Sequence, residues 1–189
     1  MQKRHPTPDT PDEELVTRTL SDNREYLHIM GRYEAKLMRY VLRIASFSRE
    51  EAEDVLQETF IKAYQNLNDF DRSFKFSSWI YRIAHNEAIN ALRKTSRFPT
   101  LAPTEQNESV VEHLADSLDL ERELDHRLHK ERVLAALEAL DAKYRNVLVL
   151  KFLEEKSYEE ISDILQRPVG TVGTLVNRAR KQLKKKMEQ

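Results

Sequence analysis

The chain has 189 residues, room for one ordinary domain or two small ones. It contains no cysteine, which excludes disulfides and thiolate metal sites and suits a reducing cytosol. The formal net charge is only −1, yet the charges are segregated. Residues 49–58 hold Glu50, Glu51, Glu53, Asp54 and Glu58 against Arg49 alone. Residues 72–97 hold Arg72, Lys75, Arg82, Arg93, Lys94 and Arg97 against Glu87 alone. Such blocks speak about partners more than about fold. The N-terminal stretch has no apolar core like that of a signal peptide, and no run approaches transmembrane length. The expectation is a cytoplasmic chain without membrane insertion.

Residues 1–20 open with Pro6, Pro8 and Pro11 and are expected to form a mobile arm. From about Asp22 the spacing of Tyr26, Met30, Tyr33, Leu37, Tyr40, Val41 and Ile44 predicts an amphipathic helix. Ser48 and Glu51 have capping-box spacing. They open a helix to about Leu67 that turns Ala52, Val55, Leu56, Phe60, Ala63 and Tyr64 inward. After a polar and aromatic loop, Ser77 is placed as the cap of a third helix reaching about Lys94, with Ile80, Ile83, Ala84, Ala91 and Leu92 inward. Residues 98–120 carry Glu105, Glu108, Glu112, Asp116 and Asp119 with no Lys or Arg, and read as an acidic flexible linker. A second helical unit follows over 121–189, first with Leu124, Leu128, Leu134, Leu137 and Leu140, then with a short buried helix around Tyr144, Val147, Leu148, Leu150 and Phe152. With three glycines and no alternating apolar runs, the fold class is all-α: two small helical domains on an acidic tether.

The last segment, SYEEISDILQRPVGTVGTLVNRARKQLKKK, has the pattern of a helix-turn-helix. Ser157 and Glu160 repeat the capping box, and Pro168 stops the first helix. The second carries Val172, Val176, Ala179 and Leu183 on one stripe. Gly170, Thr174, Asn177, Arg178 and Lys181 then point outward, where Asn and Arg can each make paired hydrogen bonds to base edges. Lys184, Lys185 and Lys186 follow with no acid among them. Two Glu-x-x-His pairs, at Glu25 and His28 and at Glu123 and His126, have di-metal spacing, but both histidines lie opposite the apolar stripes. No metal site, cofactor or catalytic centre is expected, and the chain is read as a non-enzyme.

Residues 52–94, AEDVLQETFIKAYQNLNDFDRSFKFSSWIYRIAHNEAINALRK, resemble region 2 of bacterial RNA polymerase sigma factors, in the flavour of the extracytoplasmic-function group. Residues 140–183 resemble region 4 of the same family, in the right order and at the right distance. The resemblance implies that residues 21–97 bind core RNA polymerase and open the promoter, and that residues 121–189 read the minus-thirty-five element. It assigns core binding to Asp54, Gln57 and Glu58, with Phe60 facing the core. It assigns minus-ten DNA to Lys75, Phe76, Ser77, Trp79, Arg82, His85, Asn86 and Asn90, within a cluster that also holds Phe74 and Tyr81. Opening a duplex means capturing unstacked bases, which aromatics and amides can hold while Lys and Arg take the phosphates. For the minus-thirty-five element it assigns Arg167, Gly170, Thr171, Thr174, Asn177, Arg178 and Lys181. The linker would thread toward the polymerase cleft, and an anti-sigma factor is an expected partner beside core polymerase and promoter DNA. Two small domains can be rearranged cheaply, so a compact form hiding the DNA face is anticipated. The chain departs from the pattern at Gly173 and Leu175, where the family commonly has cations, and at Asn90, where it often has Asp. A stand-alone helix-turn-helix regulator is the alternative reading.

Overall fold

Pro11 ends the N-terminal stretch and Asp12, Glu13 and Glu14 follow it in the first turn of a helix, α1 (Asp12–Ser21), which the arm assignment did not foresee. Three carboxylates at a helix N-terminus complement its dipole. Only Leu15, Val16 and Thr19 are buried, too few to stand out as periodicity. The remaining tie is polar: Arg32 reaches Asp12 Oδ1 at 2.8 Å and donates to the carbonyl of Thr10, while the Tyr33 hydroxyl donates to Asp12. In this computed structural model, residues 7, 9–95, 132–133 and 135–188 are described. The linker 98–120 and the segment with Glu123, Leu124, His126 and Leu128 lie outside them, as does Leu134.

Helix α2 (Tyr26–Ile44) buries the expected stripe, with Ile29 added and Met30 at its edge. Helix α3 (Arg49–Gln65) starts with the predicted capping box, in which both reciprocal bonds are made. The Tyr26 hydroxyl ties α2 to α3 by donating to the Phe60 carbonyl at 2.7 Å. Tyr64 departs from its inward placement: it is 40% exposed, resting on Tyr26 with ring centroids 5.0 Å apart.

Helix α4 (Phe76–Thr95) begins a residue earlier than the cap placed at Ser77. Lys75 supplies the carbonyl for the first helical bond, from the Trp79 amide. The shift follows from Phe76, which is 1% exposed and packs its ring against Tyr33, Phe70 and Trp79 at centroid distances of 5.6, 5.4 and 5.5 Å. A turn closed on Asp71, whose carboxylate accepts from the Ser73 amide at 2.9 Å, delivers the chain into this aromatic cluster.

The C-terminal unit is built around α5 (Ala142–Leu148), which runs into a π-helical turn, Val149–Leu153. Helices α6 (Tyr158–Leu165) and α7 (Val169–Met187) follow. Val133, Ala136, Leu137 and Leu140 pack into the same core. Arg145 is 2% exposed, and its guanidinium donates to the carbonyls of Leu137, Glu138 and Leu140 at 3.1, 2.6 and 3.1 Å. These are the carbonyls a helix end leaves without intrahelical partners, so one buried cation closes the preceding helical segment.

The two units pack against each other. Helix α6 lies along α4, and the turn after the π-helical segment reaches α2 and α4. Glu154, with a side chain 6% exposed, accepts from Arg43 Nη1 at 2.7 Å through one oxygen and from the Tyr81 hydroxyl at 2.7 Å through the other. Lys156 Nζ sits 4.4 Å above the Tyr81 ring. Between them Glu155 takes a left-handed φ of 52°, a local cost of about 1 kcal/mol for a side chain with a Cβ.

His85 on α4 faces inward, with Nδ1 2.9 Å from the Tyr40 hydroxyl of α2. Burial holds its pKa down, from 6.5 to about 4. The unfolded chain therefore takes up a proton at this side chain near pH 6.5 while the folded chain resists until about pH 4. The stability this group contributes is complete above pH 6.5 and is lost as pH falls toward 4, at most about 3 kcal/mol. Urea unfolding at pH 7 and near pH 4.5 should show a smaller acid loss for His85→Gln than for the wild type. An identical acid loss in both would place the sensitivity elsewhere.

Candidate nucleic-acid interface

The helix-turn-helix forms as its residues dictate. Ser157 Oγ accepts from the Glu160 amide at 3.2 Å, and Glu160 Oε2 accepts from the Ser157 amide at 2.8 Å. Gln166 ends α6 in the left-handed region with φ 52°, and the Arg167 amide returns to the Ser162 carbonyl at 3.1 Å. Pro168 then precedes α7, whose buried residues are the predicted Val172, Val176, Ala179 and Leu183. Arg167, Gly170, Thr171, Thr174, Asn177, Arg178 and Lys181 are all exposed on the outer side. The Thr174 hydroxyl donates to the Gly170 carbonyl at 2.9 Å, which leaves its lone pairs to accept from a base or an amide. A Cβ built on Gly170 or Gly173 would meet nothing within 4 Å, so packing inside the chain does not require either glycine. Leu175 is half-buried against the core edge.

On α4 the assigned residues divide. Lys75, Asn86 and Asn90 are exposed, whereas Ser77, Trp79, Arg82 and His85 are half-buried and Phe76 is core. Trp79 rests on Phe70 and Phe76, so its main contacts are structural. Tyr81 is buried and bonded to Glu154, and no base can stack on its ring while that contact stands. Phe74, 46% exposed, is the open aromatic of the loop. Asn90 lines a groove between α3 and α4 with Glu51, Asp54, Glu58, Glu87 and Lys94, Glu87 being paired with Lys62 at 2.7 Å. The acids outnumber Lys94 around Asn90, which disfavours a phosphate there relative to Lys75 and Asn86.

The core-binding trio is also split. Asp54 and Glu58 look onto that α3–α4 groove, while Gln57 borders a second one, of about 790 Å³, between α2 and α3. The larger groove is lined by Tyr26, Leu27, Met30, Met38, Leu56, Phe60, Ile61 and Tyr64, with Glu34 and Glu53 at its rim. Leu27 there is 69% exposed. An apolar trough rimmed by acids suits an amphipathic helix carrying bases. Periodicity did not single out this trough, although Leu27 and Ile61 off the apolar stripes were its available signal. It also missed Glu154, which lies in a turn where no helical pattern orients a side chain.

Among the described residues no helix is long and apolar enough to cross a membrane, and no group of three or more His, Asp or Glu is arranged to hold a metal.

Residues 29–98 match Sigma-70 region 2 and residues 130–183 match Sigma-70, region 4. The chain is 36% identical over 179 residues to the ECF RNA polymerase sigma factor SigW of Bacillus subtilis, covering 88% of this chain and 90% of that protein. It is 34% identical over 182 residues to the ECF RNA polymerase sigma-E factor of Haemophilus influenzae, covering 94% and 95%. Among solved structures, CnrH in complex with the cytosolic domain of CnrY superposes with a TM-score of 0.69 at 25% identity, over 94% of this chain and 97% of that one. The fold is shared by the sigma factor RpoE of Bartonella quintana, solved with the anti-sigma factor NepR, at TM-score 0.64 and 20% identity over 87% of this chain and 98% of that one. Two helical domains in this order, the second a helix-turn-helix, together with these relatives place the chain in one family: it belongs to the extracytoplasmic-function group of sigma-70 RNA polymerase sigma factors, non-catalytic proteins that direct RNA polymerase to promoters.

Proposed function

We propose that the initiation task is divided among three surfaces of this chain. The α3 face with Asp54, Gln57 and Glu58, together with the apolar trough beside it, takes core polymerase. Lys75, Arg82, Asn86 and the loop aromatic Phe74 take the opened minus-ten strand. The outer face of α7 takes the minus-thirty-five duplex. The observation that carries this reading is the separation of charge by surface, an excess of carboxylates on α3 against cations at Lys75 and on α4 and α7. An anti-sigma factor is proposed as a further partner, supported by the likeness to CnrH, which was solved with CnrY. The chain would work in the cytoplasm, held at the membrane only through such a partner.

Run-off transcription and a binding titration with purified core polymerase separate the first two roles. Asp54→Lys with Glu58→Lys should weaken core binding about tenfold or more while helix content is unchanged. Leu27→Glu, on α2 across the trough from Gln57, should also weaken core binding if the trough is engaged. Asn86→Ala with Lys75→Ala should leave core binding intact and reduce permanganate reactivity of promoter thymines, with partial rescue on a premelted template. Unchanged reactivity in that double variant would move melting to other residues.

For α7, removing a lysine that contacts one phosphate changes the salt slope of binding by about 0.9 on every sequence. Removing a bidentate base contact costs about 1–3 kcal/mol on the cognate site alone. Lys181→Ala is therefore expected to flatten the salt dependence, and Asn177→Ala or Arg178→Ala to relax preference within the element. Gly173→Ala should stabilise the helix by up to about 1 kcal/mol, since its Cβ enters open space. Weaker DNA binding by that more stable variant would mark a close approach of the DNA backbone. Equal losses on cognate and scrambled duplexes for both Asn177→Ala and Arg178→Ala would show that neither reads sequence.

A further inference from the structure

The loop that presents Phe74 has a fixed shape but takes its aim from elsewhere. Within it the Asp71 carboxylate accepts from the Ser73 amide at 2.9 Å, and the Asp71 carbonyl accepts from the Phe74 amide at 3.1 Å. Its orientation is set by the rings at its two ends, Phe70 and Phe76, which are buried and meet edge to face at 5.4 Å. Trp79 closes on both, 5.3 Å from Phe70 and 5.5 Å from Phe76. The far wall of this cluster is Tyr33 of α2, edge-on to Phe76 at 5.6 Å. Such a contact depends on the angle of the ring, and the angle of Tyr33 is fixed from the N-terminal helix. Asp12, the first residue of α1, commits both carboxylate oxygens to α2: one accepts from the Tyr33 hydroxyl, the other from Arg32 Nη1 at 2.8 Å. The same Arg32 nitrogen donates to the Thr10 carbonyl at 2.6 Å. Burial, and after it the Asp12 carboxylate, push the Tyr33 hydroxyl well above its ordinary pKa, so it stays a donor. Leu15 and Val16 are buried behind Asp12, and α1 touches both α4 and the 3-10 turn Leu67–Asp69, the two elements that flank the loop.

We infer that α1 is a positioning element for strand capture: Asp12, acting through Tyr33 and the Phe70, Phe76 and Trp79 cluster, holds the loop of residues 71–75 so that Phe74 faces an unstacked base. The inference rests on the proposed minus-ten role of that loop. Asp12 needs no contact with DNA for this. A stacking ring is most useful when it is held in place before the base arrives, because ordering a loose loop at the moment of binding subtracts from the stacking gain. The route is short and directional. It runs from one carboxylate to one hydroxyl, then ring to ring, and ends at the residue two positions after Phe74.

Trp79 is the only tryptophan of the chain, so its emission reads the cluster directly in the free full-length protein. Asp12→Ala should raise acrylamide quenching of Trp79 about twofold. In the holoenzyme the same variant should open a promoter carrying 2-aminopurine in its minus-ten element about fivefold more slowly, with affinity for core polymerase unchanged. Tyr33→Phe keeps the ring and removes the bond, and should slow opening in the same direction; it serves alone if Asp12→Ala misfolds. Because the two residues act in series, the double variant should open no more slowly than Asp12→Ala. Asp12→Asn retains an oxygen for the Tyr33 hydroxyl and should return both readouts toward wild type. Glu13→Ala removes an equal charge from the same turn at an exposed position and should leave both unchanged. Wild-type opening rates in Asp12→Ala and Tyr33→Phe, losses that multiply in the double variant, or an equal defect in Glu13→Ala would overturn the inference. Phe74→Ala decides the reading beneath it: normal opening there would remove the loop from strand capture and the inference with it. A defect in Phe74→Ala beside normal opening in Asp12→Ala would leave the loop its role and overturn the positioning alone.

Discussion

A single carboxylate, Glu154, organises the meeting of the two domains. Both its oxygens are used, one by the Arg43 guanidinium and one by the Tyr81 hydroxyl. Burial pushes its pKa up and that of Arg43 down, so each ion resists the site that the other makes tolerable. A buried pair of this kind contributes little net stability compared with an apolar contact of equal size, but leaving one partner alone costs about 3–5 kcal/mol. The joint is therefore selective in geometry and modest in strength. A slight mis-docking loses the pairing without recovering hydration, so intermediate arrangements are disfavoured relative to both the docked and the separated state.

This balance fits a sigma factor whose two domains are proposed to address different promoter elements. Among the described residues, Leu27, Ile61 and Tyr64 expose apolar surface in the α2–α3 trough, and Leu20, Phe74, Tyr158 and Val169 expose it elsewhere. Arg145 supplies the complementary rigidity. Its bonds to three carbonyls close the helical segment before α5, and its Nη1 lies 3.5 Å from the Ile44 carbonyl at the end of α2. The residue that completes one domain thus also marks the edge of the other.

Much of this was legible in the sequence where side-chain chemistry acts locally. The two capping boxes at Ser48 and Ser157 formed as spaced, since their bonds lie within four residues. The α7 stripe did too, because four apolar positions over three turns admit one face. The α4 start was displaced by Phe76, whose aromatic partners Tyr33 and Phe70 are distant in sequence or across a turn. Helix α1 was missed because its acids and threonines hide a two-residue apolar contact. Nothing local revealed Glu154: in LEEKS it reads as one of two solvated acids, and only the position of Arg43 and Tyr81 distinguishes it from Glu155. The same holds for the trio Asp54, Gln57 and Glu58, whose members share a polar side of α3 but open onto different grooves once α2 and α4 are in place.

The charge segregation seen at the outset gains a structural meaning within the helix-turn-helix itself. Its first helix carries Glu159, Glu160 and Asp163, and its second carries Arg178, Arg180, Lys181, Lys184, Lys185 and Lys186. At the start of α6 the acids complement the helix dipole, and at the end of α7 the cations do the same, so both sets favour the local fold before any partner arrives. Their placement then gives one small domain two electrostatic faces of opposite sign. The positive face of α7 would attract a polyanion and the negative face of α6 would repel one, while α6 itself packs on α4. A net charge near zero records none of this; the distribution along two adjacent helices decides which surface meets which partner.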